Sequence, residues 1–557
     1  MAQTGVHVTP AVASAQPAKN RLRLPRPTAR DLLPAAIFIL ALAFDLYRLG
    51  APSLWMDESF SVALARQPLS VLYGAFISGS EPNMVFYHLL LHGWLALGAL
   101  ASLPPTEFFV RLPSAVFTAL SALVVFHIGR RFLSDTAGFV GAAIYLLTGL
   151  VLTYAQQTRS YGLQLLLVCV SWYALLTLLH QSDRARRWWI IFVASSVLAV
   201  YSHAFSLLLL LAQIVVFGLL LFLDTPVRGR VSRRLVGMVA SLAVIGVLIA
   251  PFLYASRHGA KNGWLPSPQL GPEVGRAIAL VTNSKLSLAL LAVVIIFVIV
   301  ALVLSRLPAG RRALARLHPG GSEALPAEKS ALQARDALPT LLAVVCWLLI
   351  PTIVSYFLSQ GSIRLFSSRY LVTVVPAACL LIGGAVTLVR WRPARLLIGA
   401  GFVCAVLVTV PSYYAHAQLE DWRTPTRWIE AHYQPGDGLV SYNNVQGVQF
   451  PIAYYLQSDG SSAHFDPNAP GYVDMSLYGR GNPFANFGTA THPDALAAYA
   501  ATHPRLFFIE GRFTDTHDAA IAHAAQRWLD THYRLLAQTS TGLVTIRLYD
   551  TSQPPAS

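Results

Sequence analysis

The chain has 557 residues, with 41 Lys and Arg against 26 Asp and Glu, a net charge of +15. Only 12% of residues are charged and 55% are hydrophobic, about half the charge content of an ordinary soluble protein. Mean hydropathy is +0.53, which excludes soluble globular, disordered and collagen-like classes. Many apolar runs reach about 17–22 residues, the length that crosses a bilayer core of about 30 Å.

Residues 1–30 are polar, rich in Pro and Ala, and basic through Lys19, Arg21, Arg23, Arg26 and Arg30, which predicts a disordered cytoplasmic tail. The first apolar run, 32–49, has no small-residue cleavage site after it and reads as a retained helix rather than a signal peptide. Further runs follow near 84–101, 113–129, 137–154, 162–180, 188–204, 205–223, 236–254, 286–304, 338–358, 370–389 and 396–414. If all twelve crossed, the Arg-rich turns at 130–131, 184–187, 228–234, 305–336 and 390–395 would fall outside, against the positive-inside rule. Removing 84–101, the run with His88 and His92 and with the interfacial residues Tyr87 and Trp94, puts every such turn inside. Eleven spans result, with 23 basic residues in the cytoplasmic tail and loops and nine in the outer loops before residue 415.

This parity predicts a membrane domain over 31–414 with a long first outer loop, 50–112, and a cytoplasmic linker at 305–336. From 415 to 557 the chain turns polar and is punctuated by Gly, Pro and Asn. Short β-rich stretches at 438–442, 505–509 and 543–549 and helical stretches at 424–432 and 519–532 read as a small extracytoplasmic α/β domain. Only four of the basic residues are Lys, the other 37 being Arg. With abundant Ala this is the composition of a GC-rich bacterial genome, which places the chain in the plasma (inner) membrane. The basic residues follow membrane sidedness rather than clustering on one face, so nucleic acid is not an expected partner. Cys169, Cys346, Cys379 and Cys404 all lie in apolar runs, so no disulfide framework is expected.

Candidate chemistry collects at the outer rim. Asp57 and Glu58 sit about eight residues beyond the first span, beside Trp55, where a lipid headgroup would lie. Most loop carboxylates are merely solvated, but this loop is poor in charge and the pair's position favours a role. Arg159 and Tyr161 occupy a short outer turn, and Arg369 and Tyr370 open the run at 370. An Arg at a helix end can snorkel for anchorage alone. On an outer face depleted of basic residues it is also well shaped for bidentate phosphate binding. Arg111 and His88 are weaker candidates of the same kind. Asp45 and Arg48, three apart, read as a local ion pair. Walker-type, GxGxxG, CxxC and HExxH patterns are absent, so no cofactor or metal is called for, although Glu81 and Glu107 share the loop with Asp57 and Glu58 and a divalent ion is conceivable.

Several stretches carry a resemblance: Trp55-Met56-Asp57-Glu58, the run Pro82 to Leu91 including Tyr87-His88, Arg111-Leu112-Pro113-Ser114, Gln156 to Tyr161, Ser368-Arg369-Tyr370 with Pro376, and Asp421-Trp422-Arg423. In order and side they resemble the membrane glycosyltransferases of the GT-C fold, specifically the bacterial relatives of protein O-mannosyltransferases and of the lipid A aminoarabinose transferase. The resemblance spans about 54–440. It departs from the family at Pro82-Asn83-Met84, where many relatives carry two prolines before the Tyr, and no stretch of 441–557 carries the resemblance. It implies an all-α polytopic fold and a transferase of hexosyl or pentosyl groups, for which single displacement of a phosphate by the acceptor means inversion at C1. The donor would be a polyprenyl-phosphate sugar, the acceptor a lipid, glycan or protein. Asp57 is implied as catalytic base, with Glu58 holding a substrate and Tyr87 and His88 in the second family motif as substrate-binding residues.

The residues themselves are compatible with that chemistry: a carboxylate to take the acceptor proton and arginines to steady a departing phosphate. The alternatives are a lipid-linked glycan flippase, which would place charges at mid-span, and a scaffold that merely displays the C-terminal domain.

Overall fold

A computed structural model describes residues 29–181, 185–223, 227–257, 265–272, 327–389, 391–442, 447–513 and 515–553. The expected run at 286–304 and most of the 305–336 linker lie outside these residues. Among the described residues, six helices are long and apolar enough to cross a membrane, or up to eight if each of two sharply bent pairs counts as one span. The chain is a mostly helical, multi-pass membrane protein with one small sheet.

Several runs that read as single helices are broken, each for a local reason. The run 137–154 divides into Asp135–Leu147 and Gly149–Ala155, bent by 63°. At the break Thr148 turns extended (ψ 121°) while its hydroxyl donates to the Ile144 carbonyl at 2.8 Å. The run at 370 starts as the short helix Ser368–Leu371 and a 3-10 turn, Val372–Val374, before Val375–Thr387 continues. Pro376 sits at the start of that last helix, where its missing N–H costs nothing. The final run divides at 408–409 into Arg392–Leu407 and Val410–Ala415, the second again opened by a proline, Pro411.

Helices in the membrane part pack closely through small residues. A Cβ added to Gly129 would come within 2.5 Å of the Gly138 Cα, and one added to Gly383 within 2.5 Å of the Ala137 carbonyl oxygen. Where lipid supplies no hydrophobic drive between helices, such backbone approach supplies the contact area. The interior is then filled by large rings, among them Trp172 stacked on Trp347 at 5.0 Å.

The 50–112 segment is itself helical. Met56–Ala65 and Leu69–Ile77 meet at 117°, and Val85–Leu100 follows. At 16 residues this last helix is about 24 Å long, short of the bilayer core. Beyond Val410–Ala415 the chain builds a four-stranded sheet of order β1-β2-β4-β3. Its strands are β1 (Gly438–Ser441), β2 (Arg505–Gly511), β3 (Arg534–Ser540) and β4 (Val544–Asp550). β1 and β2 are parallel, with Leu439 opposite Phe507, and the other pairs are antiparallel. The sequence pattern marked three of these strands. β3 was not among them, because its residues are exposed or half-buried and show no apolar alternation. Helices Arg423–His432 and Thr516–His532 cover the positions expected to be helical.

This C-terminal region does not sit apart. Leu54, Val62, Phe109 and Val110 of the 50–112 segment share one buried core with Trp422, Ile452, Phe507 and Ile546. The sheet therefore braces the loop that carries Asp57.

Candidate active site

Asp57 lies in the first turn of Met56–Ala65, and two hydrogen bonds fix that turn. The Met56 N–H donates to Glu420 Oε2 at 3.0 Å, and the Trp55 N–H donates to Glu58 Oε2 at 3.3 Å. Glu420 also accepts from Trp422 Nε1 at 2.7 Å and pairs with Arg512 at 2.7 Å. The segment after the last span and a residue just past β2 thus hold the start of the Asp57 helix.

Two arginines converge on Asp57. Arg159 Nη2 and Arg369 Nη1 lie 3.5 and 3.6 Å from the same oxygen, Oδ2. Arg159 Nη1 also donates to the Asp57 carbonyl at 3.1 Å and to Ser61 Oγ at 3.0 Å. Burial disfavours the charge of Arg159, but Asp57, Tyr161 and Glu81 more than offset it and raise its pKa above the ordinary value. Behind the arginines stands a ring cluster in which His203 is 4.7 Å from Tyr370 and 5.7 Å from Tyr161 between centroids.

Asp57, Arg159, Tyr161, Arg369 and Tyr370 all face one cavity of about 850 Å³. Its opposite wall is C-terminal: Tyr478, Phe484, Phe487, Arg512 and Phe513. Glu81 and Asn83 line it too. Glu81 is pushed up to about 7 by burial, with Arg159 pulling it down and Asp57 pushing it up. A second cavity, about 350 Å³, shares Trp55, Tyr161 and Arg369 with the first and extends toward Tyr154 and Leu419.

Four of the sequence candidates fall elsewhere. Glu58 and Arg111 are fully buried and consume each other. Arg111 Nε and Nη2 donate to the two Glu58 oxygens at 2.8 and 2.7 Å. Its remaining N–H groups reach the Leu49, Pro52 and Ser53 carbonyls at 2.9, 2.8 and 3.1 Å. All five guanidinium donors are spent, and Glu58 Oε1 further accepts the Thr158 N–H at 2.7 Å. This pair ties the loop to the turn that carries Arg159 and has no donor left for a substrate. Tyr87 and His88 are buried on Val85–Leu100, Tyr87 against Ser114 at 3.2 Å, and neither lines the cavity. The Asp45–Arg48 pair does not form among the described residues; Asp45 is 2% exposed with Oδ2 unpartnered.

The acids of the loop disperse as well. Glu107 pairs with Arg423 and accepts from Tyr455, leaving Asp57 and Glu81 as the carboxylates of the cavity wall. Among the described residues no group of three His, Cys, Asp or Glu could hold a metal ion. Arg512 and His203 were missed because each lies far in sequence from the residues it joins, and nothing local marks it.

Residues 88–254 match the family profile of the dolichyl-phosphate-mannose-protein mannosyltransferases. No curated protein sequence matches the chain. Among solved structures, the chain is similar to ArnT from Cupriavidus metallidurans in the apo state, with TM-score 0.52 and 14% identity over 94% of this chain and 99% of that one. It is similar also to the same enzyme bound to undecaprenyl phosphate, with TM-score 0.50 and 16% identity over 93% and 98%. Fold and profile agree: the chain is a GT-C-fold membrane protein that resembles the glycosyltransferases of the ArnT and protein mannosyltransferase group.

Proposed function

We propose that this protein transfers a sugar from a polyprenyl-phosphate donor to an acceptor hydroxyl at the extracytoplasmic face of a bacterial plasma membrane, with inversion at C1. The observation that carries the reading is the convergence of Asp57, Arg159 and Arg369 in one large cavity whose rim lies near the ends of apolar helices. ArnT, one of the structural neighbours, is bound to undecaprenyl phosphate in one of its structures, and a lipid phosphate is the anion that two arginines at such a rim would hold.

In this scheme Arg159 and Arg369 turn from Asp57 to the donor's phosphate oxygens. Asp57 then loses two counter-charges and becomes a better proton acceptor. The acceptor hydroxyl gives its proton to Asp57 as its oxygen bonds to C1 from the face opposite the phosphate. The C1–O bond to phosphate breaks, and the polyprenyl phosphate leaves with its charge held by the arginines. No metal is needed. The eleven-span topology, the cytoplasmic N-terminus, the membrane domain over 31–414 and the outward placement of 415–557 belong to the same reading.

The test is mass spectrometry of envelope glycans and lipids from a strain lacking this protein. One sugar substituent should disappear, return with the wild-type gene, and stay absent with Asp57→Asn expressed at equal level. Full restoration by Asp57→Asn would overturn the assignment.

A further inference from the structure

A third cavity, of about 480 Å³, lies on the other side of the helix that carries Asp57. Ser59, Val62, Ala63 and Arg66 line it, a spacing that puts all four on one stripe of Met56–Ala65 and its C-cap. Across from them stand the C-terminal residues Tyr454, Tyr472, Phe465 and Gln457. The Phe450 ring lines both this cavity and the one holding Asp57. Asp57 and Ser59 are two residues apart, a rise of about 3 Å, so the two chambers are separated by one helix face and one ring.

The wall is built for a particular ligand chemistry. Arg66 is half-buried, donates to Gln457 Oε1 at 2.5 Å and lies 5.6 Å from the Tyr454 ring centroid. Among the described residues no carboxylate is within ion-pairing distance of it. Asp474, the carboxylate on this wall, is engaged through Oδ1 with its own turn, accepting from the Ser476 N–H at 2.9 Å and the Ser476 hydroxyl at 2.7 Å. An arginine with no carboxylate in ion-pairing distance, framed by aromatic rings and amides in a chamber of ligand size, matches a ring-shaped polar ligand carrying an anion.

We propose that this chamber is the acceptor subsite, and that it takes a hydroxyl-rich glycan unit bearing an anionic group, a carboxylate or a phosphate, which Arg66 holds. The anion rests on Arg66, the sugar ring lies against Tyr472 and Phe465, and a neighbouring unit of the glycan spans the helix rise of about 13 Å past Phe450 and offers its hydroxyl to Asp57. The assignment rests on the transferase reading for its name as acceptor site, but the binding it describes is measurable on its own.

The experiment uses the full chain in lipid nanodiscs and saturation-transfer NMR with D-glucuronate and D-glucose as probes. These share a ring and differ in the carboxylate. Glucuronate should bind at least about fivefold more tightly than glucose, Arg66→Gln should erase that preference, and Tyr472→Ala should weaken both sugars. Displacement of glucuronate by inorganic phosphate that is lost in Arg66→Gln would identify a phosphate-bearing acceptor; resistance to phosphate would identify a carboxylate-bearing one. Equal binding of the two sugars, no saturable signal from either, or a preference that survives in folded Arg66→Gln would overturn the proposal. Undecaprenyl phosphate binding, measured in the same nanodiscs with and without Arg159→Ala, separates the two readings. If that lipid does not bind while Arg66-dependent glucuronate binding persists, the donor reading fails and the subsite stands.

Discussion

At the scale of single residues, Asp57 is asked to take a proton and the arginines to hold a phosphate, and these roles predict different losses. Asp57→Asn is nearly isosteric, so it should keep the fold and donor binding while kcat falls about 10²-fold or more. A folded Asp57→Asn enzyme with near wild-type turnover would exclude Asp57 as base. Arg159→Ala and Arg369→Ala should each weaken donor use by about 1.5–3 kcal/mol, the worth of a charged hydrogen bond. Arg159→Lys should recover only part, since an ammonium cannot reproduce a fork of donors; steady-state kinetics against donor concentration would show unchanged constants if the phosphate lies elsewhere. Glu81 adds a pH signature. Its folded pKa of about 7 exceeds its ordinary value of 4.5, so between those values the folded chain holds a proton that the unfolded chain has released. Stability present below the lower value is therefore lost as pH rises toward about 7. Melting curves should show this decline in the wild type and a flatter profile in Glu81→Gln; equal slopes would exclude Glu81 as its source. Ionised Glu81 also places a second negative charge in the cavity, so donor KM should rise as pH passes about 7.

At the scale of elements, the start of the Met56–Ala65 helix is positioned from three directions: by Arg111 through Glu58, by Glu420, and by the Arg159 turn. The adjacent acids Asp57 and Glu58 have opposite fates because successive helix residues point about 100° apart. One faces the cavity; the other is driven into the protein, where only a bidentate partner makes its charge tolerable. Removing one partner strands the other charge, so Arg111→Ala should cost about 3–5 kcal/mol and lower the melting temperature sharply. Asp57→Asn should not. Thermal unfolding of the two variants in detergent would contradict this division of labour if Arg111→Ala proved as stable as the wild type.

At the scale of the whole molecule, the proposed sidedness puts the cavity, the sheet and the Arg66 chamber on one side of the membrane. In a background with the exposed Cys404 replaced by Ser, cysteines introduced at Ser80 and Ser461 should react with an impermeant thiol reagent from outside. One at Ser330 should react only after permeabilisation. External labelling at Ser330 would overturn the topology. The shared core between the 50–112 segment and the C-terminal sheet also makes the two regions mutually dependent. Deletion of the sheet is expected to expose Leu54, Val62, Phe109 and Val110 and to disorganise the Asp57 turn rather than to leave a trimmed enzyme.

What the sequence determined by itself was the class and the apolar runs, and it marked as candidates the cavity residues closest to them. Asp57, Arg159, Tyr161, Arg369 and Tyr370 were legible as candidates because charge retained beside apolar segments, in a charge-poor loop, a short turn or at the start of a run, stands out against its surroundings. Three of the four strands showed themselves by β-rich composition. Tertiary structure decided which of two neighbouring carboxylates meets the cavity, since Glu58 looks as available in sequence as Asp57 and its partner Arg111 lies 53 positions away. It also decided the far wall, where Arg512, Phe484 and Phe487 have no local mark of function. The physical reason is the same in each case: a charged or aromatic side chain acquires its role from what lies within about 4 Å of it, and for these residues those neighbours come from distant parts of the chain.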